Sequence, residues 1–357
     1  MAEKKEKIPL TICILRLSAL GDICHAIAMV QHIQRYMPEA RITWVTGKAE
    51  ASLLRYLPAI EIVEFNKNNG LVGYLQLYRK LKGRRFDVLL HMQVAIRASL
   101  ASLCIKAKRR VGFDRARARE GQWLFTNEQI SAQPQPHVLD GFMAFSHSLG
   151  LPHADPQWSI PINKSALKWV ENAIAKKRYV VLSASASNAE RNWHADAYCQ
   201  LADYITQLGF TVVLTASARE DEVAIARKIS KRCKRNIINF AGSTNLHELM
   251  ALIQGASFVV SPDSGPVHMA VCLNTPAVGI YAHSNPLRTG PYHFRQYTVS
   301  HYEKNVLAQY GKPSSQLRWG IRAKGNHLMH EITFEEVKHK VDLLIQRELR
   351  AQMKSII

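Results

Sequence analysis

The chain has 357 residues and a formal net charge of +19, and its composition excludes several classes of protein. No stretch reaches the roughly 20 apolar residues that span a bilayer, and six scattered cysteines without a CxxC pair indicate a reduced, cytoplasmic compartment. The length exceeds the usual size of a single hydrophobic core, which predicts two domains.

The first predicted element is a buried strand over residues 10–17, followed by the sequence SALGD and an amphipathic helix. We expect Gly21 to make the turn and Asp22 to lie at the entrance of the helix. Ligands of open α/β sheets bind at the carboxyl ends of strands, which is where this turn would lie. Asp22 is therefore either a helix N-cap or a general base that takes a proton from a bound hydroxyl group.

Strand and helix patterns alternate along the rest of the chain, which predicts an α/β fold with two parallel, helix-covered sheets. Further strands are predicted at residues 41–45, 61–65, 87–91, 180–183, 211–215, 237–240, 258–261 and 277–281. A polar, Pro-rich stretch near Asn163 separates two domains, residues 1–163 and 164–357. The last predicted helix, residues 334–353, either closes the second domain or crosses back onto the first.

The positive charge is concentrated at residues 79–119, which hold 13 Lys or Arg and only two acids, Asp87 and Asp114. A net formal charge of +11 in this segment indicates a polyanionic partner. A solvated basic face, nucleic acid and anionic lipid headgroups are the three interpretations, and the WLF sequence at 123–125 offers interfacial contacts for the last. Nucleic acid is disfavoured because no zinc-finger spacing or RNP-like motif accompanies the charge.

The segment SPDSGPVHMA, residues 261–270, follows a short apolar strand and begins another predicted helix. Gly265 allows a ligand to approach the backbone closely, and Pro266 is compatible with the first helical turn. The unpaired N–H groups of a helix N-terminus bind phosphate, so the segment is a candidate anion site. The alternative is an ordinary strand-to-helix turn capped by Asp263 or Ser264.

The absence of two kinds of motif narrows the chemistry. SALGD lacks the GxGxxG pattern, and Thr46, Gly47 and Lys48 replace the acid expected after the second strand, which argues against a standard dinucleotide oxidoreductase. No DxD motif stands among the candidate site segments, no HExxH occurs, and the histidines show no clustered ligand spacing with cysteine. We therefore predict no metal site.

Three motifs, LSALGDICHA at 17–26, SASASNAERNW at 183–193 and SPDSGPVHMA, together resemble glycosyltransferase family 9, the lipopolysaccharide heptosyltransferases. REGQWLF at 119–125, HVLDGFMAF at 137–145 and NPLRTGPY at 285–292 are most similar to the OpsX type, heptosyltransferase I. The resemblance covers nearly the whole chain. It implies a GT-B architecture in which two Rossmann-like domains with parallel sheets face a central cleft, the first binding the acceptor and the second the nucleotide-sugar.

The resemblance also implies an activity. This is inverting, metal-independent transfer of L-glycero-D-manno-heptose from ADP-heptose to Kdo of the lipid A inner core, with Asp22 as the base. ADP-heptose is a substrate, so no cofactor is implied, and the partners are Kdo-lipid A, with or without a phosphate, and the cytoplasmic surface of the inner membrane. A family 9 transferase for a later heptose or another sugar, and a basic α/β protein that binds nucleic acid, are the alternatives.

The resemblance and the charge pattern together give a set of expected site residues. Arg191 is expected to contact phosphate and Glu220 the ribose, with Arg219 as the alternative at the latter position. The expected donor-binding residues are Ser187, Arg191, Glu220, Asp263, Ser264, Gly265, Pro266 and His268. The expected acceptor-binding residues are Ser18, Gly21, His25, Arg97, Lys106, Lys108, Arg109, Arg110, Arg115, Arg117 and Arg119.

Overall fold

A computed structural model describes residues 9–175 and 177–354, with side chains described as far as residue 347. The chain divides into two compact units, of which the first ends at Pro161 and the second begins at Ile162. No helix in the described ranges is both long and apolar enough to cross a bilayer.

The first unit contains one parallel sheet in the order β3-β2-β1-β4-β5-β6. Its strands are β1 (Thr11–Leu15), β2 (Arg41–Thr46), β3 (Ile60–Glu64), β4 (Phe86–His91), β5 (Ala107–Gly112) and β6 (Glu128–Gln129). Its helices are α1 (Leu20–Tyr36), α2 (Lys48–Leu54), α3 (Gly70–Leu81), α4 (Ile96–Ser102) and α5 (Val138–His147).

Side chains alternate across the strands of this sheet, so each face has its own core. Cys13 and Leu15 of β1 point to one face, where they belong to a buried cluster with Leu77 of α3 and Ala98 and Ala101 of α4. The helices α1 and α5 pack against each other. The helices α3 and α4 therefore cover one face of the sheet, with their inner sides in this cluster.

The second unit repeats the same topology, with the sheet order β12-β11-β10-β7-β8-β9. Its strands are β7 (Tyr179–Ser183), β8 (Thr211–Thr215), β9 (Ile238–Asn239), β10 (Val259–Pro262), β11 (Ala277–Tyr281) and β12 (Val299–Ser300). Its helices are α6 (Lys164–Ile174), α7 (Ala195–Gln207), α8 (Glu220–Arg232), α9 (Leu246–Gly255), α10 (Gly265–Cys272), α11 (Pro286–Thr289), α12 (Tyr302–Tyr310) and α13 (Phe334–Lys354). Because α13 packs against α7, the final helix closes the second unit.

Each sheet has one point where the chain reverses the direction in which it adds strands. In the first unit this switch point lies between β1 and β4, and in the second it lies between β7 and β10. Ligands of open parallel sheets bind at the carboxyl ends of the strands at such points, because the loops there diverge and leave a crevice. The two candidate sites described below lie at these two positions.

The predicted fold class is confirmed: both sheets are parallel and helix-covered. Most predicted strands begin and end within two residues of their observed bounds. The strand β5 was missed because its sequence, AKRRVG, reads as a surface charge run. The prediction that Gly21 makes a turn was wrong, because α1 already begins at Leu20.

Candidate active site

Asp22 lies in the first turn of α1, just beyond the carboxyl end of β1. The N-cap position is occupied by Ala19, which makes no side-chain capping hydrogen bond. The N-cap interpretation of Asp22 was therefore wrong. The carboxylate projects from within the helix at the switch point of the first unit.

Arg16 fixes the orientation of this carboxylate. Its Nη2 donates a hydrogen bond to Oδ2 of Asp22, and its Nη1 donates to the main-chain oxygen of Met92 at 2.5 Å. The guanidinium also lies 5.3 Å from the centroid of the Phe142 ring. The Arg16 side chain is 11% exposed and that of Asp22 is 30% exposed. A buried cation thus holds one oxygen of Asp22, while the carboxylate is open to a ligand.

Gln93 follows β4 at the same edge of the sheet and was missed in the sequence. Its Oε1 accepts a hydrogen bond from the main-chain N–H of Leu17 at 2.7 Å, and its Nε2 lies 3.5 Å from the hydroxyl of Ser18. Gln122 Nε2 donates to the main-chain oxygens of His91 and Gln93 at 2.8 and 3.3 Å. The topology rule would have identified Gln93, because it follows the strand next to β1.

The structure separates the basic residues that the sequence grouped together. Lys106 and Lys108 lie at the amino end of β5, at the edge of the sheet opposite Asp22, and Lys108 pairs with Asp87 at 3.6 Å. A binding site at the carboxyl ends of the strands cannot include both edges. We therefore remove Lys106 and Lys108 from the acceptor site.

Arg109, Arg110, Arg117 and His25 are committed to the interior of the first unit. Arg109 makes a bidentate pair with Glu128, and its hydrogen bonds hold the pKa of that carboxyl below the usual range. Arg110 donates to main-chain oxygens at the end of α4 and beyond it. Arg117 and His25 are buried, the latter with its ring edge-on to a second histidine. These four side chains support the fold, whereas Arg97, Arg115 and Arg119 lie in segments after β4 and β5.

Arg117 gives a stability test of this division. Its side chain is 4% exposed and pairs with Asp114 at 3.0 Å, so Arg117→Ala leaves a buried carboxylate without its cation. We expect the free energy of unfolding to fall by about 3–5 kcal/mol. The control is Arg115→Ala, an exposed neighbour, for which we expect a change within about 0.5 kcal/mol. Denaturant unfolding measures both, and equal stability of the two variants would return Arg117 to the list of ligand-binding residues.

In the second unit, β10 ends at Pro262 and α10 begins at Gly265, with Ser264 at the N-cap and Pro266 in the first turn. The Ser264 side chain does not cap the helix, because its hydroxyl lies 2.9 Å from that of Ser261 instead. No side-chain cap therefore occupies the N-terminus of α10. This geometry favours the anion site over the capped turn.

Asp263 is the buried centre of this site, with 6% of its surface exposed. Ser284 donates a hydrogen bond to Oδ2, Arg191 Nη1 lies 3.5 Å from Oδ2, and His268 Nε2 lies 3.7 Å from Oδ1. Burial alone would raise the pKa of the Asp263 carboxyl, but the contacts with His268, Arg191 and Ser284 outweigh it and hold the pKa well below the usual range. Asp263 is thus an ionised anchor for a histidine and an arginine.

Arg191 reaches Asp263 from the loop after β7. Its Nη1 also donates to the main-chain oxygen of Asp263 at 3.1 Å, so the loops after β7 and β10 meet at this guanidinium. Ser187, in the same loop as Arg191, is exposed, and its carbonyl oxygen accepts from Arg219 at 2.9 Å. The predicted donor residues of these two loops are therefore brought together.

The predicted ribose contact is placed differently from the expectation. Glu220 is exposed in the first turn of α8, whereas Glu222 is buried at the carboxyl ends of β7 and β8. The Glu222 carboxylate accepts from the Ser185 hydroxyl at 2.7 Å and from the Ser217 N–H at 3.1 Å. Its inward direction depends on the exact start of α8, which the sequence does not reveal. Within the described residues, no group of three or more His, Cys, Asp or Glu side chains could hold a metal ion.

Comparison with known proteins places this geometry in a family. Residues 74–319 match the family model for glycosyltransferase family 9 (heptosyltransferase). The chain is 45% identical over 330 residues to the lipopolysaccharide core heptosyltransferase OpsX of Haemophilus influenzae, covering 92% of this chain and 95% of the relative. It is 22% identical to lipopolysaccharide heptosyltransferase 2 of Escherichia coli, covering 94% and 99% of the two chains.

Solved structures show the same fold. A family 9 glycosyltransferase from Veillonella parvula is similar with a TM-score of 0.77 and 18% identity, covering 95% of this chain and 98% of its own. Escherichia coli heptosyltransferase WaaC with ADP gives a TM-score of 0.73 at 18% identity, covering 94% and 100%. The two sheets have the GT-B fold of these heptosyltransferases. With the family model matching more than half of its length, the chain belongs to glycosyltransferase family 9, the heptosyltransferases.

Proposed function

We propose that this protein is heptosyltransferase I, which transfers L-glycero-D-manno-heptose from ADP-heptose to a Kdo residue of the lipid A inner core. The observation that carries the proposal is the 45% identity to the core heptosyltransferase OpsX over nearly the full length of both chains. The polar residues at the two switch points are compatible with this reaction, as the next paragraphs argue.

In the first unit, Asp22 acts as the general base. The Arg16 guanidinium holds one carboxylate oxygen, which leaves the other oxygen to accept the proton of the attacking Kdo hydroxyl group. Ser18 and Gln93 supply hydrogen-bonding groups beside it. The hydroxyl oxygen forms a bond to the anomeric carbon of heptose while the bond from that carbon to the diphosphate breaks. Attack from the face opposite the leaving group inverts the anomeric configuration.

In the second unit, the N-terminus of α10 and the Arg191 guanidinium receive the diphosphate. Negative charge grows on the leaving group as its bond to the sugar breaks, and donors that are already oriented stabilise it most. Asp263 and Ser284 fix the loops that present these donors. Glu222 replaces Glu220 as the acid closest to the ribose in this proposal, and Ser187 and His268 complete the donor site.

Two further parts of the proposal concern the metal and the membrane. Because Arg191 and a helix N-terminus meet the phosphate charge, we propose that transfer needs no added metal. The acceptor carries acyl chains, so the enzyme acts as a peripheral protein on the cytoplasmic surface of the inner membrane. Arg97, Arg115 and Arg119 are the basic residues that we retain for acceptor phosphates.

The test is transfer from ADP-L-glycero-D-manno-heptose by the purified protein, with and without EDTA. The acceptors are Kdo-lipid A, Kdo2-lipid A, phosphorylated Kdo-lipid A and a core that already carries heptose. We expect equal product with and without EDTA on a Kdo-terminated acceptor. Product on the heptosylated core alone would identify a later transferase, and loss of product in EDTA would overturn metal independence.

A further inference from the structure

The first unit exposes nine large apolar side chains on three neighbouring segments. They are Leu71, Val72, Leu75, Tyr78, Ile96, Leu100, Leu103, Trp123 and Leu124, which we call the α3–α4 surface. Leu71 is 87% and Leu124 is 78% exposed. Elsewhere among the described residues of this unit, only Tyr36 and Tyr56 are exposed side chains of this kind. The apolar exposure is therefore concentrated on one side of the unit.

The three segments lie side by side. The Tyr74 hydroxyl of α3 donates to the main-chain oxygen of Arg97 in α4 at 3.3 Å, and the Ile96 N–H of α4 donates to Glu120 at 2.7 Å. The 3₁₀-helix Gln122–Phe125, which follows Glu120, packs against α4. Helical spacing places residues 71, 75 and 78 on one face of α3, and residues 96, 100 and 103 recur at the same interval along and just beyond α4. The side chains thus form one surface.

This surface is not required by the core. The opposite sides of the same helices, with Leu77 and Leu81 on α3 and Ala98 and Ala101 on α4, already fill the buried cluster beneath the sheet. Soluble monomers rarely expose large continuous apolar patches, and a patch rimmed by polar groups marks a contact with a partner. The outward-facing residues therefore indicate a second binding function.

The charge around the surface selects the partner. Residues 65–113 hold 11 Lys or Arg and a single acid, Asp87. Among the basic residues, Lys67, Arg79, Lys82 and Lys106 are exposed on or beside α3 and α4. Apolar side chains with an exposed tryptophan, surrounded by positive charge, match the interface of an anionic bilayer, where acyl chains lie below negative headgroups.

We propose that the α3–α4 surface docks the protein onto an anionic lipid bilayer. The helix α4 starts at the carboxyl end of β4, the same edge at which Arg16, Asp22 and Gln93 lie. Docking would bring this edge close to the headgroups. The proposal rests on the proposed function only in that it supplies a reason for the docking, namely a lipid acceptor.

The experiment is sedimentation of the full-length protein with vesicles of phosphatidylcholine alone and of phosphatidylcholine with phosphatidylglycerol. We expect binding to the anionic vesicles that weakens in high salt. The double variant Leu71→Ser/Leu124→Ser should lower the partition coefficient at least about tenfold, and Arg79→Gln/Lys82→Gln should lower it as well. The matched control, Leu208→Ser/Leu307→Ser, changes two comparably exposed leucines of the second unit and should bind like the unmodified protein.

A second readout separates docking from catalysis. We expect Leu71→Ser/Leu124→Ser to slow transfer to Kdo-lipid A in vesicles and to leave transfer to a deacylated, water-soluble Kdo acceptor unchanged. If the unmodified protein transfers heptose to neither, the proposed function fails while vesicle binding still decides the docking. Absence of binding to both vesicles, or equal binding by the apolar double variant, would overturn the docking proposal. So would an unmodified dimer that this variant converts to a monomer without any change in vesicle binding, since the surface would then contact a second copy.

Discussion

Replacement of Asp22 by Asn is expected to lower kcat by about 10²–10⁴-fold while the affinity for ADP stays nearly unchanged. The amide has the shape of the carboxylate and can still accept the hydrogen bond from Arg16, but it cannot take the proton of the acceptor hydroxyl. ADP is assigned to the second unit, so its binding should not depend on this side chain. Single-turnover transfer measures the chemical step, and calorimetric titration with ADP measures the affinity.

The matched control for this variant is Asp87→Asn. Asp87 is also a partly exposed carboxylate of the first unit with a basic partner, but it lies at the amino end of β4 and accepts hydrogen bonds from Thr11. We expect its replacement to leave kcat unchanged. If Asp22→Asn retained kcat within about threefold of the unmodified enzyme, Asp22 would not be the base, and another proton acceptor would have to be sought.

Replacement of Arg191 by Ala is expected to lower kcat/KM for ADP-heptose by about 10²–10³-fold and to weaken ADP binding. The variant removes a cation from the diphosphate and also from Asp263, whose buried carboxylate then loses a partner. Arg191→Lys keeps the charge but not the fork of donors, so it should recover only part of the loss. Steady-state kinetics with varied ADP-heptose, together with ADP titration, measures both effects.

A double-mutant cycle distinguishes direct from indirect roles at this site. If Asp263 acts by positioning Arg191, then Asp263→Asn should cost little more in the Arg191→Ala background. Additive effects would instead show that Asp263 binds the substrate on its own account. The control for the loss of a charge is Arg235→Ala, an exposed arginine before the amino end of β9, which should leave the donor kinetics unchanged. An unchanged kcat/KM in Arg191→Ala would contradict the assignment of this residue to the diphosphate.

Much of the fold was predictable because buried parallel strands have a simple signature. Runs such as Thr211–Thr215 and Ala277–Tyr281 are almost entirely apolar and are bounded by turn residues, and the structure gives the predicted bounds. The strand β5 lacks this signature because it carries Arg109 and Arg110 at half-buried positions. Their guanidinium groups are accommodated by Glu128 and by main-chain oxygens from elsewhere in the unit, which no local pattern reveals.

The candidate site was predictable where it follows the chain and was missed where it depends on neighbouring strands. Asp22 and the start of α10 stand directly after strands, so the sequence identified both. Gln93 and Glu222 become site residues only once β4 is known to adjoin β1 and α8 is known to begin at Glu220. The same limit explains Lys106 and Lys108, since charge density in a sequence does not say which edge of a sheet the charges occupy.

The placement of one switch point in each separately folded unit has a consequence for how such enzymes diversify. On the proposed assignment, the choice of acceptor is written in the sequence before Pro161 and the choice of sugar nucleotide in the sequence after it. Mutations that remodel one set of loops leave the hydrophobic core of the other unit untouched. A lineage could therefore acquire a new acceptor while it inherits its donor chemistry intact, and chimaeras joined near Pro161 would exchange one specificity without rebuilding the other.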